Sequence, residues 1–352
     1  MASASNGNGT RNQSSSWWGT GFAYAVSLAC LLWVYHDFDW KNELPRLARI
    51  HWAWILLAVA ADVLVYVSQA WRWNKLLTPL GKFPLGKSVQ AIYIGLFANE
   101  VLPLRSGELI RCYLIAVWNR LSFPIVVSSA VIERLIDGVW LIAGFILAAM
   151  IVPMPGELQT AAWILALVVG GIGAVVVFAV MNKKFAQHAV TRHRWSSVLR
   201  SLVEGLHLMG RSGSFPAAVL MSTVYLALQV VPLQAMLMGY GLDVHWGAGA
   251  LVLVVLRLGT VVPGPPGNVG VFHFFCYLAL NKVLGVEAQT AKMVSGMMFF
   301  AVTVPLLAAG AVALAFTGSE IKEIYGRARD HSATHDAERR TEPAPTLPGP
   351  MK

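Results

Sequence analysis

Long apolar stretches alternate with short polar segments along this chain, and that pattern predicts a bundle of membrane-crossing helices. A run of about 20 apolar residues crosses a hydrocarbon core about 30 Å thick. Tryptophans lie near the ends of the first two runs, where amphipathic rings favour the membrane interface. The fold class is therefore an all-α polytopic membrane protein. We predict full spans over residues 17–35, 52–71, 125–151, 160–181, 215–238 and 293–316.

Two other apolar regions are interrupted by Pro and Gly, and their arms are short. In the first, near 88–122, the arms cover residues 89–102 and 109–118, about 21 Å and about 15 Å as helices. In the second, near 247–282, a turn over residues 263–270 separates the arms 248–262 and 271–280. Because neither region suits a pair of full spans, each is predicted to be a re-entrant hairpin.

The distribution of basic residues orients the chain. Arg72, Lys75, Lys82 and Lys87 form a segment without acids, and residues 182–214 form the most basic loop. Both are expected in the cytoplasm. Two full spans lie between them, so the first hairpin region crosses the membrane either twice or not at all, and its short arms favour a hairpin. Apolar residues at helical spacing in the basic loop predict an amphipathic helix on the cytoplasmic surface.

The same layout occurs twice in opposite orientation. Residues 17–153 and 154–317 each read as two spans, a hairpin and one span. This is an inverted-topology repeat, in which the two hairpin turns are expected to meet near the midplane. The polar ends, 1–16 and 318–352, are expected to be disordered. Both termini are predicted to lie on the cytoplasmic side of the cell membrane.

Composition agrees with a membrane protein and excludes other classes. Of 352 residues, 56% are hydrophobic and 13% are charged, against about 25% charged in soluble domains. The net charge of +9 is explained by cytoplasmic loops and anionic lipid, so we expect no nucleic-acid partner. Three dispersed cysteines predict neither a metal site nor a disulfide framework. We expect no cofactor and no resident metal.

Charged residues at the first hairpin turn are the leading candidates for chemistry. Glu100, Arg105, Glu108 and Arg111 fall within thirteen residues that begin at Asn99. The second arm starts at this turn, and a helix N-terminus favours an anion. Arginines grip phosphate, and the glutamates can orient them or bind a cationic group. If residues 88–122 instead cross twice, this segment is an ordinary external turn.

Three more charges lie within the span that follows. Glu133 and Asp137 share a helix face, and Arg134 lies three residues before Asp137. Ionisable groups at membrane depth usually face a bundle interior and are paired. They can brace the hairpin arginines or relay protons, or they can be a structural ion pair, and these roles are compatible. Asp62, an acid alone in its span, is a further candidate.

The second hairpin offers fewer ionisable groups. Arg257 is the charge in its first arm, while Gly267 and Gly270 allow the backbone to approach a ligand closely. His273 can titrate near neutral pH, and an ordinary hydrogen-bonded structural histidine is an equal alternative.

These motifs resemble a known family. The strings Asn99-x-x-Leu-Pro-x-Arg-x-Gly-Glu-x-x-Arg111 and Glu133-Arg134-x-x-Asp137, with the Pro/Gly-rich turn at 263–270, are similar to the flippase-like transmembrane region of lysylphosphatidylglycerol synthases. The resemblance implies two re-entrant hairpins and movement of lipids between leaflets. It also implies site roles for a set of five residues, which is Arg105, Glu108, Arg111, Glu133 and Arg134.

The chain departs from this family in two ways. His273 stands where the family often has Glu, which puts a carboxylate-dependent step in question. The soluble aminoacyl-transfer domain of the name-giving enzymes is absent, so we do not expect synthesis of lysyl-lipid by this chain alone.

The leading functional hypothesis is a lipid translocase, a transporter without a recognisable catalytic domain, that moves an anionic or zwitterionic polar lipid between leaflets. The alternative is a membrane subunit or scaffold of a lipid-modifying transferase. The expected partners are a phospholipid or other polar lipid and the bilayer, with a homo-oligomer or a lipid-modifying enzyme as further partners.

Overall fold

The computed structural model describes residues 13–102, 106–151, 196–259 and 266–341, with single positions between 156 and 174. Arg105, most of the predicted span 160–181, residues 182–195 and the turn residues 263–265 lie outside the described part. So do residues 1–12 and 342–352.

The described part is helical, and no strand occurs within it. Short 3₁₀ turns occur at Leu44–Arg49, Thr78–Leu80 and Pro266–Asn268, and a π turn occurs at Leu278–Val283. The α-helices, numbered in chain order, are α1 Gln13–Tyr35, α2 Trp40–Glu43, α3 Trp52–Leu77, α4 Leu85–Val101, α5 Gly107–Trp118, α6 Phe123–Ile151, α7 Ser196–Gly210, α8 Phe215–Gly239, α9 Ala248–Gly259, α10 Val271–Tyr277 and α11 Ala288–Thr341.

Three stretches of the described helices are long and apolar enough to cross a membrane. They are Trp52–Leu80, Phe215–Gly239 and Ala288–Gly318, which match three of the predicted spans. Many large apolar side chains on these helices are exposed, for example Leu56 at 69% and Leu220 at 70%. Exposed apolar surface of this extent suits lipid and not water. The prediction of an all-α membrane protein is therefore confirmed.

Helices α4 and α5 form a tight antiparallel hairpin. Gly95 and Gly107 are in backbone contact, since a Cβ atom on Gly107 would lie 1.8 Å from the Gly95 carbonyl oxygen. The Asn99 side chain accepts a hydrogen bond from the Gly107 amide at 2.8 Å. At the open end, the Lys87 ammonium lies 5.2 Å from the centre of a Trp118 ring. Asn99 is thus a residue that closes this hairpin.

Helices α9 and α10 form the second pair. Gly259 lies against the Phe275 ring, where any Cβ atom would approach within 2.2 Å. The turn before α10 uses Gly267 at φ 73° and Gly270 at φ 81°, a region that favours glycine. Ser27 of α1 donates a hydrogen bond to the Val269 carbonyl, so α1 packs on this turn.

The helix contacts occur in matching pairs across the two halves of the chain. The contact of α3 with α4 has its counterpart in α8 with α9, and that of α5 with α6 in α10 with α11. Likewise α4 packs on α11, and α9 packs on α6. Helices α3 and α8 pack extensively on each other at the centre. The hydrophobic core correspondingly divides into two clusters, one around each hairpin.

Two details differ from the sequence predictions. Arg72 lies inside α3 and is fully buried, so its assignment to a cytoplasmic loop was wrong. Helix α11 continues to Thr341, whereas disorder was predicted from residue 318. Its extension is rich in Glu, Arg and Ala, which are good helix formers. The predicted amphipathic helix exists as α7, and it packs on α6, where Ser128 donates a hydrogen bond to the Leu202 carbonyl at 2.8 Å.

Candidate functional site: an ion network between α3, α5 and α6

The centre of the site is the carboxylate of Glu133 on α6, which is fully buried. One oxygen accepts hydrogen bonds from Arg72 at 2.5 Å and from Gln69 at 3.1 Å. The other accepts from Arg111 at 2.6 Å. Both arginines that donate these hydrogen bonds are buried as well, Arg72 at 0% and Arg111 at 2% exposure. A single carboxylate thereby joins α3, α5 and α6.

The outer edge of the network is more accessible. Arg134 is 46% exposed, and its guanidinium lies 3.1 Å from Glu108, which is 35% exposed. Glu108 also accepts from Arg111 at 2.5 Å. Asp137 pairs with Arg72 and lies 3.8 Å from Arg134. Three arginines therefore balance three acids, and exposure increases from Glu133 toward Arg134.

Aromatic rings and a hydroxyl hold the buried arginines in place. The Arg72 guanidinium lies 4.3 Å from the centre of the Tyr225 ring and donates to Ser222 at 3.3 Å. The Arg111 guanidinium lies 4.6 Å from the centre of the Trp73 ring. A ring face attracts a cation, most strongly where water is excluded. Through Ser222 and Tyr225, helix α8 also contributes to the site.

Burying charges such as those of Glu133, Arg72 and Arg111 is favourable only when their pairing is nearly complete, because each unpaired buried ion costs several kcal/mol. Sequence spacing accounts for part of this pairing. Glu108 and Arg111 lie three apart on α5, and Arg134 and Asp137 lie three apart on α6. The pairs that join different helices depend on the packing of α3 and α5 against α6, which brings Arg72 to Glu133.

The structure brings together most of the predicted site. Glu108, Arg111, Glu133, Arg134 and Asp137 lie in one network, while Arg105 falls outside the described residues. Sequence reasoning missed Gln69 and Arg72. The missed signal was their spacing, because positions three apart on an apolar helix share a face.

The two hairpin turns lie next to each other. A Cβ atom on Gly267 would lie 3.1 Å from a carboxylate oxygen of Glu100, at the end of α4. Arg257 on α9 donates a hydrogen bond to the Gln229 side chain on α8 at 2.6 Å. The predicted candidates Glu100 and Gly267 therefore meet between the two hairpin turns, and Arg257 links α9 to α8.

The remaining candidates have local structural surroundings. His273 is 6% exposed, and its Nδ1 accepts from the Gly270 amide at 3.4 Å. Its ring contacts Tyr35 and Phe299, with ring centres 5.7 Å and 4.8 Å apart. Gly270 approaches the Ser27 carbonyl so closely that a Cβ atom there would lie 2.2 Å from its oxygen. These contacts shape the turn before α10.

The apolar helices and the internal ion network define a multi-pass membrane protein with a polar site in its helical interior. The chain belongs to the family described as the lysylphosphatidylglycerol synthase TM region, whose model matches residues 21–310. The resemblance found in the motifs is thereby confirmed.

Among curated proteins, the chain is similar to glycosyltransferase AglD of Haloferax volcanii. The two are 25% identical over 296 residues, which cover 70% of this chain and 47% of that protein. The chain thus spans about half the length of this relative. No solved structure matches the chain.

Proposed function

We propose that this protein moves an anionic or zwitterionic polar lipid between the two leaflets, with the lipid head group bound at the exposed edge of the ion network. Membership of the lysylphosphatidylglycerol synthase TM family supports a role connected with membrane lipids. The lipid tails can remain in the bilayer, so the protein needs to shelter only the head group.

The observation that carries this proposal is the gradient of exposure across the network. Arg111 and Glu133 are fixed by buried pairs, whereas Arg134 and Glu108 form an accessible pair at 46% and 35% exposure. A phosphate can take both donors of the Arg134 fork. The Glu108 carboxylate can then accept a cationic group of a zwitterionic lipid. The buried pairs behind this edge hold its geometry before the lipid arrives.

The paired helix contacts support an inverted repeat, in which each half contributes one re-entrant hairpin. The contact of Gly267 with Glu100 supports a head-group path between the two hairpin turns. Rocking of one repeat against the other would open this path to each leaflet in turn. From the family motif we also propose Arg105 as a phosphate ligand.

We retain a cytoplasmic location for both termini as part of the proposal. Arg72 is buried within α3 and does not belong to the basic segment between α3 and α4. Lys75, Lys82 and Lys87 still lie from the end of α3 to the start of α4. The basic loop that precedes α8 supports the same orientation, since cytoplasmic loops carry an excess of Lys and Arg.

The proposal is tested by reconstituting the purified protein into liposomes that contain fluorescent lipids. We expect faster exchange between leaflets for a lipid with a phosphate head group than for a neutral diacylglycerol-like lipid without one. Protein-free liposomes report the uncatalysed rate. Equal rates with and without protein for every phosphate-bearing lipid would contradict the proposal.

A second candidate function is a membrane subunit of a lipid-modifying transferase, and the similarity to a glycosyltransferase about twice as long favours it. In that case the exposed carboxylate of Glu108 would act as an acid or base near the bilayer surface. Incubating the purified protein with a lipid extract and sugar donors distinguishes the two functions. A new lipid product that disappears in Glu108→Gln would favour the transferase.

A further inference from the structure

Asp62 on α3 is a buried acid outside the ion network. Its residue is 7% exposed. Within residues 13–102, 106–151, 196–259 and 266–341, no hydrogen bond or ion pair to its carboxylate is present. This distinguishes Asp62 from Glu133, which is also buried and accepts hydrogen bonds from three side chains.

Two phenols lie in the surroundings of Asp62. Tyr66 lies one helical turn further along α3, and Tyr93 reaches across from α4, with the two ring centres 5.6 Å apart. Both tyrosines lie within electrostatic range of the Asp62 carboxylate. The Tyr93 hydroxyl is directed at the Val63 carbonyl, 3.5 Å away. These neighbours offer hydroxyl groups and no positive charge.

The helices that pack against α3 supply no described cation that pairs with Asp62. On α6, the acids and Arg134 belong to the ion network. On α8, Tyr225 is the titratable residue and lies beside Arg72. Helix α11 has no ionisable residue between 293 and 319. On α4, Lys87 lies beside the Trp118 ring, and Glu100 is itself an acid.

Arg72 and Arg257, two arginines of the described part, are also held by other groups. Arg72 follows Asp62 by ten residues, about 15 Å along the helix, and is bound to Glu133 and Asp137. Arg257 lies within electrostatic range of Tyr66, and its guanidinium donates to Gln229. Neither contacts the Asp62 carboxylate.

An ionised carboxylate in such surroundings is expensive, because burial removes its water and no described cation replaces it. The charge can be neutralised by a metal ion or by a proton. Hard cations such as Ca²⁺ need six or more oxygen ligands. The described residues contain no group of three His, Cys, Asp or Glu side chains that could hold a metal ion. A proton needs only the carboxyl group.

We propose that Asp62 is a proton-binding site, occupied in this conformation and emptied when the surroundings of α3 change. The proton is then part of the conformational cycle. Because a ligand that favours one of two conformations shifts their populations, a proton gradient would bias the cycle. This second step rests on the proposed function, whereas the proton site itself does not.

The site is tested with dicyclohexylcarbodiimide, which reacts with protonated carboxyl groups in apolar surroundings. The full-length protein in lipid nanodiscs is treated near neutral pH and digested for mass spectrometry. We expect label on Asp62, decreasing at alkaline pH, and none on the ion-paired Glu133. Asp62→Glu should keep the label and Asp62→Asn should lose it. Absence of label on Asp62 in the wild type would overturn the proposal.

Infrared spectroscopy gives an independent measurement that needs no reagent access. The wild type minus Asp62→Asn difference should contain the carbonyl band of a protonated carboxylic acid. If only the carboxylate bands appear, Asp62 is ionised and the proposal is wrong. Arg105→Gln identifies the cause in that case, because an acid band that arises only in this variant marks Arg105 as the ion-pair partner of Asp62.

The link to transport is tested in the same liposomes with and without an imposed pH gradient. We expect the gradient to change lipid exchange in the wild type and to have no effect in Asp62→Asn. If the gradient affects both equally while labelling of Asp62 is positive, the proton site stands and its coupling to transport is wrong. Absence of lipid exchange in the wild type at any pH instead contradicts the proposed function.

Discussion

Two groups of ion pairs connect distant parts of this chain, and they differ chiefly in their exposure to solvent. The ion network around Glu133 is buried at its centre and joins α3, α5 and α6. A second group, which we call the clasp, joins the loop before α2 and the turn after it to the start of α11. It consists of the ion pairs of Asp37 with Lys292 and of Arg46 with Glu287, and of a hydrogen bond from Gln289 to the Asp37 carbonyl.

The clasp has no fully buried ion pair, whereas the network has one at its centre. The Lys292 side chain is 5% exposed, while its partner Asp37 is 54% exposed. The pair of Arg46 with Glu287, 3.9 Å apart, is exposed on both sides. Identical charge chemistry therefore has different consequences, because water can replace the lost partner of an exposed group such as Asp37 or Glu287 and cannot do so at Glu133.

The largest expected effect is that of Glu133→Gln. This change removes the negative charge shared by two buried arginines, and breaking such a pair costs about 3–5 kcal/mol. We expect a large loss of stability in thermal unfolding of the detergent-solubilised protein. Glu204→Gln on α7 is the matched control, because Glu204 is exposed and its loss should have little effect. Equal stability of the two variants would refute the structural role of the network.

The next effect comes from separating the two partners of the clasp. Asp37→Asn leaves the buried Lys292 ammonium without its carboxylate, whereas Lys292→Met leaves only an exposed Asp37. We therefore expect the melting temperature to fall more for Asp37→Asn than for Lys292→Met. The opposite order would show that the packing of the Lys292 stem matters more than its charge.

The same pair predicts a pH dependence. The hydrogen bond from Lys292 holds the pKa of Asp37 below its ordinary value. The stability from this pair is therefore fully present above the ordinary pKa of an aspartate, near 4, and is lost as the pH falls through the lowered value. Wild type minus Asp37→Asn melting temperatures, measured from neutral to acid pH, should shrink in that acid range. A constant difference would contradict the assignment.

The smallest effect is expected for Glu287→Gln. Its pair with Arg46 is exposed and should contribute at most about 1 kcal/mol. Added salt should remove most of this contribution, since it screens exposed charges. Unfolding measured at low and high ionic strength checks this. A loss as large as that of Glu133→Gln would mean that the clasp is shielded from solvent.

The sequence predicts the elements of this fold better than it predicts their pairing. Apolar run length locates α3, α8 and α11, and Pro and Gly locate both hairpins. Arg72 was misread because the apolar run was ended at Trp71, whereas the helix continues to Leu77. A basic residue at the end of an apolar run is easily assigned to a loop when the acidic residue that pairs with it inside the protein is not known.

Within the site, local spacing indicated the pair of Arg134 with Asp137, and the sequence placed Glu108 near the hairpin arginines without assigning it a partner. The contact of Arg72 with Glu133 joins positions 61 residues apart, so no local pattern reports it. The clasp is equally non-local, since Asp37 and Lys292 are 255 residues apart. Such contacts depend on how the two halves of the chain pack.

The most direct measurement of the central claim is lipid exchange in liposomes that contain Arg134→Gln. Arg134 is exposed enough that its loss should leave the buried centre and the fold intact, as checked by thermal unfolding. Arg211→Gln, which removes an exposed charge after α7, is the control. We predict that exchange of a phosphate-bearing lipid falls at least about tenfold in Arg134→Gln, which corresponds to 1.4 kcal/mol of lost interaction, and is unchanged in Arg211→Gln. Full exchange by a folded Arg134→Gln protein would contradict the assignment of the head-group site.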